Sequence, residues 1–458
     1  MMNNGIKYFL LLSILGIALT QFAFANPIKV EVRKSSSGWE LLRDGQPYYI
    51  KGAGGHTHLD ELVRIGGNSI RTWSTDNAEE ILNEAHKRGL TVMMGLWVQH
   101  ERHGFDYDNK DRVKAQLEAF RKVVLKLKDH PALLMWGVGN EVDLQYTNTN
   151  VWYAVNDIAA MIHELDPNHP TCTVTAGLDK AEVALIKERA PHIDIYGINT
   201  YGDLPNVPGN IQKFGWEGPY MITEWGPNGH WEVAKTAWGA PIEQSSAEKA
   251  VSYSERYIVH IAKNTAFCLG SYVFLWGHKQ ETTSTWYGLF LEGGEYAEAL
   301  DELHLHWKGE YPANRAPRLN GASFNGLKEL NNIYVNAEEI NVVLVDVSDF
   351  EGDKLKYNWE IIPESTDIKS GGDAESKPEP IRGLFVARRN NELRFRAPAQ
   401  EGAYRLFITI TDGNEHAAYL NIPFYVVPRP IGSNQSRFVE FIEYDMDSFE
   451  IDSTKNNK

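Results

Sequence analysis

The stretch Leu133-Leu134-Met135-Trp136-Gly137-Val138-Gly139-Asn140-Glu141-Val142-Asp143-Leu144 begins as a hydrophobic strand and runs into a carboxylate. Ala132 to Trp136 reads as a buried strand, Gly137, Gly139 and Asn140 break the apolar run, and Glu141 stands where the chain leaves the core. A carboxylate at the edge of a core is costly unless it is paired or hydrogen-bonded. Glu141 is therefore either a satisfied structural group or an acid whose pKa is shifted for use. The surrounding sequence decides between the two.

Seven other short apolar runs share the character of this one: Tyr48–Ala53, Ser69–Trp73, Thr91–Val98, Thr171–Thr175, Ile193–Asn199, Tyr220–Thr223 and Cys268–Leu275. Amphipathic patterns with apolar spacings of three and four lie between most of them, at Ala78–Arg88, Asp111–Asp129, Val151–Leu165, Asp179–Glu188, Ala247–Ala262 and Glu295–Trp307. The Pro/Gly-rich connection Tyr201–Gly218 predicts no regular helix. Eight strands alternating with helices predict an α/β fold, a (β/α)8 TIM barrel. A doubly wound open sheet is the alternative, but no glycine-rich phosphate loop follows the first strand.

An alternating hairpin, Ile28–Val32 and Trp39–Leu42, precedes the barrel, so the catalytic domain is read as residues 26–311. Residues 312–317 read as a linker, within "EYPANRAPRL". Beyond it, strand-like runs at Asn341–Val345, Lys356–Ile361, Leu393–Arg396, Tyr404–Thr411 and Ala418–Val427 predict a C-terminal immunoglobulin-like β-sandwich over 318–430. The polar insert Ser365–Pro380 reads as a long loop, and 431–458 as an acidic tail relieved by the apolar run Phe438–Tyr444. At the other end, Lys7, the apolar run Tyr8–Leu19 and Ala23-Phe24-Ala25 form a signal-peptide pattern over 1–25 with cleavage near Ala25. The expected location is thus outside the cytoplasm, periplasmic or extracellular, with no stable membrane insertion after cleavage.

Of the 458 residues, 43% are hydrophobic, enough for a large core without a disulfide staple. The two cysteines, Cys172 and Cys268, can pair or remain as buried thiols. A formal net charge of −16 argues against nucleic acid as a partner, which needs a basic face. The 13 tryptophans and 21 tyrosines suit sugar faces, although most must be core.

Active sites of such barrels lie at the C-terminal ends of the strands. Glu141 stands just past strand four, and "PYMITEWGPNG" places Glu224 just past Thr223 on strand seven. Two carboxyls facing each other across the mouth suit glycoside hydrolysis, in which one protonates the leaving oxygen while the other attacks the anomeric carbon or activates water.

Asn140-Glu141 after strand four and Glu224 on strand seven resemble the retaining (β/α)8 glycosidases of clan A, and the resemblance covers Tyr48 to Trp307. It implies that Glu141 is the acid/base and Glu224 the nucleophile, with their carboxyls about 5–5.5 Å apart. It further implies that Arg71 lies beside the nucleophile, that Tyr201 hydrogen-bonds it, and that Trp276 is a sugar platform. Asn140 matches a residue that contacts the sugar 2-hydroxyl. Asn199 stands where many clan members carry a histidine, which leaves its role open; it is taken as a candidate sugar contact. Within the clan, Trp136–Glu141 ("WGVGNE") and Asn199–Gly202 ("NTYG") resemble family 2-like catalytic domains and the fungal β-1,3-glucan-remodelling enzymes. A barrel followed by an immunoglobulin-like domain is also similar to family 158 endo-β-1,3-glucanases.

Trp73, Trp97, Trp225, Trp231 and Trp286 lie on or after strand ends and are candidate subsite rings, with core packing as the alternative for each. His56, His58, His100 and His103 lack a further ligand at zinc-site spacing, so no metal or cofactor is expected, and His100 is read as a sugar contact. The resulting expectation is a monomeric, exported, retaining endo-β-glucan hydrolase acting on β-1,3 linkages of a polysaccharide or oligosaccharide. The alternatives are a β-glucan transglycosylase, a β-mannanase or β-galactosidase-type glycosidase, and a non-catalytic carbohydrate-binding protein on a barrel scaffold.

Overall fold

A computed structural model describes residues 27–428. The signal-peptide pattern, its cleavage site near Ala25 and the acidic tail with Phe438–Tyr444 lie outside the described residues. The chain opens with a small antiparallel sheet of β1 (Val30–Ser35), β2 (Gly38–Arg43) and β3 (Gln46–Pro47). Val30 and Leu41 of this sheet pack with Met93, Leu134, Ile195, Met221 and Leu269 from inside the barrel. Trp39 N–H donates to the Ala266 carbonyl just before the last barrel strand, so the small sheet seals the N-terminal end of the barrel.

The barrel strands are β4 (Ile50–Gly54), β5 (Ser69–Arg71), β6 (Thr91–Leu96), β7 (Leu133–Val138), β8 (Thr171–Ala176), β9 (Ile195–Asn199), β10 (Tyr220–Trp225) and β11 (Cys268–Val273). They pair in parallel and in sequence order, and β11 returns to β4, which closes the sheet. Six of these strands are buried along their whole length, which explains their near-continuous apolar runs. The surrounding helices are α1 (Leu59–Arg64), α2 (Ala78–Lys87), α3 (Lys110–Leu127), α4 (Val151–Leu165), α5 (Lys180–Arg189), α6 (Val207–Lys213), α7 (Ser246–Glu255) and α8 (Glu298–Lys308). Their apolar faces pack on the outside of the strands, as Ile81, Leu82 and Ala85 do on α2.

Two details depart from the sequence reading. The Pro/Gly-rich segment after Tyr201 does hold a helix, α6, because Pro208 falls in its first turn, where its missing N–H leaves no intrahelical bond unmade. The short helix α1 was not anticipated either. Cys172 and Cys268 are buried free thiols on β8 and β11.

The C-terminal region holds β12 (Arg318–Phe324), β13 (Ile333–Asn336), β14 (Ile340–Ser348), β15 (Lys356–Pro363), β16 (Phe385–Arg389), β17 (Glu392–Arg396), β18 (Gly402–Thr411) and β19 (Ala417–Val427). They form two four-stranded sheets, β12-β14-β17-β16 and β13-β19-β18-β15, around one shared core that includes Phe324, Trp359, Phe395 and Phe424. All pairs are antiparallel except β13 with β19. β12, β13 and β16 extend the set of strands read from sequence. The segment between β15 and β16 carries no regular secondary structure.

A buried polar network joins the two parts. Lys249 of α7 donates to Glu243 Oε1 at 2.6 Å and to the carbonyls of Thr285 and Trp286. Asn421 of β19 donates to Glu243 Oε2 at 2.5 Å, and Arg405 of β18 reaches the Pro241 carbonyl at 2.9 Å.

Candidate active site

Glu141 sits three residues beyond β7 in a left-handed backbone conformation, φ +48°. That conformation is costly for a residue with a Cβ, and such strain gathers at functional positions. The preceding Gly139, at φ +80°, takes the turn that stops the strand. The Glu141 N–H donates to the Val174 carbonyl of β8 at 2.9 Å, which pins the carboxyl-bearing residue to the neighbouring strand. Glu224 lies on β10 itself, where the register with β9 shifts between Ile222 and Glu224 and sets Glu224 opposite Asn199.

Three donors converge on the Glu224 carboxylate. Arg71 Nη1 reaches Oε1 at 2.9 Å, Trp73 Nε1 reaches Oε1 at 2.8 Å, and the Tyr201 hydroxyl reaches Oε2 at 2.9 Å. Burial, followed by the Glu224 charge, pushes the Tyr201 hydroxyl far above its ordinary pKa, so it remains a donor. Arg71, at the end of β5 and only 2% exposed, also binds the Thr223 carbonyl at 2.8 Å, Asn140 Oδ1 at 2.5 Å and Asn199 Oδ1 at 3.2 Å.

Because a guanidinium only donates, its contacts fix the orientation of both amides. Asn199 Oδ1 faces Arg71 and the Thr223 hydroxyl, while Nδ2 donates to Glu141 Oε1 at 2.8 Å and Asn140 Oδ1 at 3.1 Å. The Asn140 amide nitrogen makes no hydrogen bond to the described residues and lies in a residue that lines the cavity. Glu141 carries one hydrogen bond from Asn199 where Glu224 carries three. Burial first, and the Glu224 charge second, push its pKa up to about 8. The two carboxyls thus sit in different surroundings, and it is Glu141 that is pushed toward its protonated form.

The pair lines a cavity of about 310 Å³ together with Trp73, Trp97, Asn140, Tyr201, Trp231, Phe274, Leu275, Lys279, Glu281 and Gly371–Asp373. Trp97 is half-buried there, and Trp231, 57% exposed, stands at its edge with its ring 5.9 Å from that of Tyr201. Trp73 lines the cavity as well, but its indole N–H is committed to Glu224.

Four expected sugar contacts are corrected by the structure. Trp276 is 1% exposed and packs edge-on against Phe290 at 5.1 Å, because β11 ends at Val273 and the chain turns Phe274 and Leu275, not Trp276, into the cavity. Trp225 is fully buried on the outer side of β10, stacked on Tyr257, since successive strand residues face opposite sides and Glu224 takes the inner one. His100 is buried with Nε2 at 2.6 Å from the Asn140 carbonyl, so it supports the turn that carries Glu141 and does not line the cavity. Burial lowers its pKa, consistent with a neutral ring donating from Nε2. Asn199 is buried with its amide fully engaged, so it positions Glu141. Trp286, also buried, donates to the Asn228 carbonyl beneath the site.

The sequence reading did not single out Phe274, Leu275, Lys279, Glu281 or Gly371–Asp373 as cavity residues. Phe274 and Leu275 follow β11 directly, so strand-end position was an available signal for them. Gly371–Asp373 lie more than two hundred residues from Glu141, and no local pattern points from them to the cavity. The histidines at 56, 58, 100 and 103 form no metal-ligand cluster; among the described residues, the carboxylates close enough to share a cation are Asp349, Asp353 and Asp412 of the sandwich.

A closed parallel barrel with Glu141 just past its fourth strand and Glu224 near the end of its seventh has the layout of a clan A type glycoside hydrolase barrel. Within it, residues 58–227 match the family described as glycosyl hydrolases family 2, TIM barrel domain. The chain is 26% identical over 183 residues to the β-glucuronidase of Chlorocebus aethiops, covering 35% of this chain and 26% of that protein. It is 26% identical over 203 residues to a β-galactosidase of Bacteroides ovatus, covering 36% and 23% respectively. Among solved structures, the β-glucuronidase of Bifidobacterium dentium matches with a TM-score of 0.47 and 21% identity over 62% of this chain and 50% of that one. The chain spans about a quarter of the length of these curated relatives. The family match is thus to family 2 over residues 58–227 only, and the resemblance to family 158 finds no support among these relatives.

Proposed function

We propose that the protein is a retaining glycoside hydrolase that removes a terminal, neutral β-linked sugar of the galactoside type by double displacement. The observation that carries this reading is the asymmetry of the carboxyl pair. Glu224 holds three hydrogen bonds, whereas Glu141 has its pKa raised to about 8 and faces the same cavity. Protonated Glu141 donates to the glycosidic oxygen as Glu224 attacks the anomeric carbon from the other face. The Glu141 carboxylate then takes a proton from the water that releases the sugar from Glu224. The amide nitrogen of Asn140 is the free donor for the 2-hydroxyl. Sugar binding alone would not require an acid with a raised pKa, which disfavours a lectin.

The galactoside reading replaces the endo-β-1,3-glucanase expectation, which none of the relatives supports. The names of the relatives include both β-galactosidase and β-glucuronidase, and the cavity favours the neutral sugar. Its lining carries Glu141, Glu224, Glu281 and Asp373, and the one cation among the described residues that line it, Lys279, is bound to Glu281 at 2.7 Å. A uronate would enter an acid-rich pocket with no uncommitted cation on its wall. Action outside the cytoplasm, as the N-terminal pattern implies, completes the proposal.

The test compares 4-nitrophenyl β-galactoside, 4-nitrophenyl β-glucuronide and laminarin, and follows with a 2-deoxy-2-fluoro-β-galactosyl fluoride. Turnover of the galactoside and a fluoroglycosyl adduct on Glu224 by peptide mass are expected. Preference for the glucuronide would overturn the neutral-sugar assignment, and an adduct on any other residue would overturn the nucleophile.

A further inference from the structure

Part of the cavity wall does not come from the barrel. Gly371, Gly372 and Asp373 belong to the insert between β15 and β16 of the sandwich, yet they line the same cavity as Glu141 and Glu224. The insert is fastened to separate segments of the barrel rim. After β6, Arg102 holds Asp373 with both terminal nitrogens, at 2.8 and 3.3 Å, and His103 lies 3.3 Å from the same carboxylate. After β7, Gln145 reaches the Ser370 hydroxyl at 3.4 Å. After β11, Lys279 donates to the Gly372 carbonyl at 2.7 Å and the Thr282 N–H donates to Glu375 at 2.6 Å.

The insert is also shaped from within. Glu375 accepts from the Lys369 N–H at 2.9 Å, and Asp367 accepts from the Ser376 N–H and hydroxyl, both at 2.9 Å. Gly371 and Gly372 have φ of +62° and +72°. A Cβ on Gly371 would come within 2.7 Å of Leu144 Cδ2, and one on Gly372 within 2.9 Å of Lys279 Nζ. Two adjacent glycines let this backbone lie flat against the rim. The Arg102 side chain is 8% exposed, so its two-pronged pairing is worth more than a solvated surface bridge.

The order β11-β4-β5-β6-β7 places the two sets of anchors on either side of β4 and β5. A segment tied to both sets therefore spans the mouth between the loops after β6 and β7 and the loop after β11. We infer that this sandwich-borne insert is the specificity-determining wall of the active site, ending the cleft so that only the terminal sugar of a chain fits. The cavity volume of about 310 Å³ lies at the small end of the range for ligand pockets, which suits one ring rather than a polymer. The inference rests on the proposed glycosidase function and assigns a catalytic-site role to the C-terminal domain.

The test uses the full chain with residues 367–376 replaced by a Gly/Ser linker, beside Asp373→Ala and Gly371→Val. The substrates are 4-nitrophenyl β-galactoside and a β-1,4-galactan, with products sized by chromatography. The intact protein should release only monosaccharide from the galactan. The replaced insert should raise KM for the aryl galactoside about tenfold or more with kcat little changed, the pattern of lost binding common to ground and transition states. It should also release internal fragments. Gly371→Val, which adds one side chain against Leu144, should shift KM in the same direction even if the larger replacement does not fold. Unchanged KM with monosaccharide alone in every variant would overturn the wall, as would oligosaccharide ladders from the intact chain; both leave double displacement standing. No turnover of any aryl glycoside, with Glu224 unlabelled by the fluoroglycoside, would overturn the proposed function and the wall with it.

Discussion

Asn199 shows how much of this site is built to position rather than to touch substrate. Its carbonyl oxygen is held by Arg71 and Thr223, and its amide nitrogen holds Glu141 and Asn140. The hydrogen bond it gives Glu141 lowers that pKa, against burial and the Glu224 charge, which raise it. The sign of a substitution follows. Asn199→Ala removes a lowering contribution, so the alkaline limb of kcat/KM, expected near the Glu141 value of about 8, should move to higher pH. Glu141→Gln, assayed on an aryl glycoside whose leaving group needs no proton, should flatten that limb. A limb that moves down in Asn199→Ala, or that persists in Glu141→Gln, would remove Glu141 from the acid role. Roles are separated independently by azide. Glu224→Ala should be rescued with an α-glycosyl azide product, because azide takes the nucleophile's face. Glu141→Ala should give the β-azide, because the Glu224 intermediate still forms. Swapped anomers would reverse the assignment.

At the scale of elements, the eight barrel strands were legible because strands buried on both faces leave apolar runs that few other structures produce. Glu141 and Glu224 were legible because each breaks such a run at its C-terminal end. What a run does not reveal is the turn after it. The apolar stretch Cys268–Leu275 continues past the end of β11 at Val273, and within those few residues Phe274 and Leu275 turn to the cavity while Trp276 turns to the core. Ring chemistry was the same in either place, so tryptophan content could not sort platforms from packing. The insert carrying Gly371–Asp373 was legible only as polar, since its anchors at Arg102 and Lys279 are distant in sequence. The two kinds of tryptophan should separate by measurement. Trp276→Ala should lower stability by about 3–5 kcal/mol, as truncation of a core aromatic does, and leave KM of the folded fraction unchanged. Trp97→Ala, at a half-buried cavity ring, should raise KM with little change in Tm. Chemical denaturation and steady-state kinetics on both variants check this, and a KM effect confined to Trp276→Ala would restore that ring to the substrate.

In the whole molecule, the sandwich and the barrel meet through ionised groups taken out of water. Glu243 and Lys249 are both buried, and the Thr283, Thr285 and Asn421 side chains complete the carboxylate's hydrogen bonds. Lys249 also donates to the Trp286 carbonyl, whose neighbour Tyr287 packs 5.2 Å from Tyr201, the ring that holds Glu224. Docking of the two parts and the placement of Glu224 therefore share one set of contacts. Burial alone would raise the Glu243 pKa, but Lys249 and the hydroxyl donors overcome it and hold the carboxyl below its ordinary value. A depressed carboxyl pKa adds stability that is fully present above its unfolded value, 4.5, and is lost as pH falls through the lower folded value. Acid should therefore loosen the junction below that point. Lys249→Met leaves the Glu243 charge buried without its cation, a loss of about 3–5 kcal/mol. By the usual entropy of unfolding for one cooperative unit of this size, Tm should fall by roughly 4–6 °C. Glu243→Gln added to Lys249→Met removes the orphaned charge and should recover part of that loss, with a weaker dependence of Tm on pH below 4.5. Calorimetry should show barrel and sandwich unfolding in one transition in the unsubstituted protein. Two separate transitions there, or a Tm in Lys249→Met equal to that of the parent, would mean that the junction does not couple the parts, and the sandwich would then have to hold its insert at the cavity through the rim contacts alone.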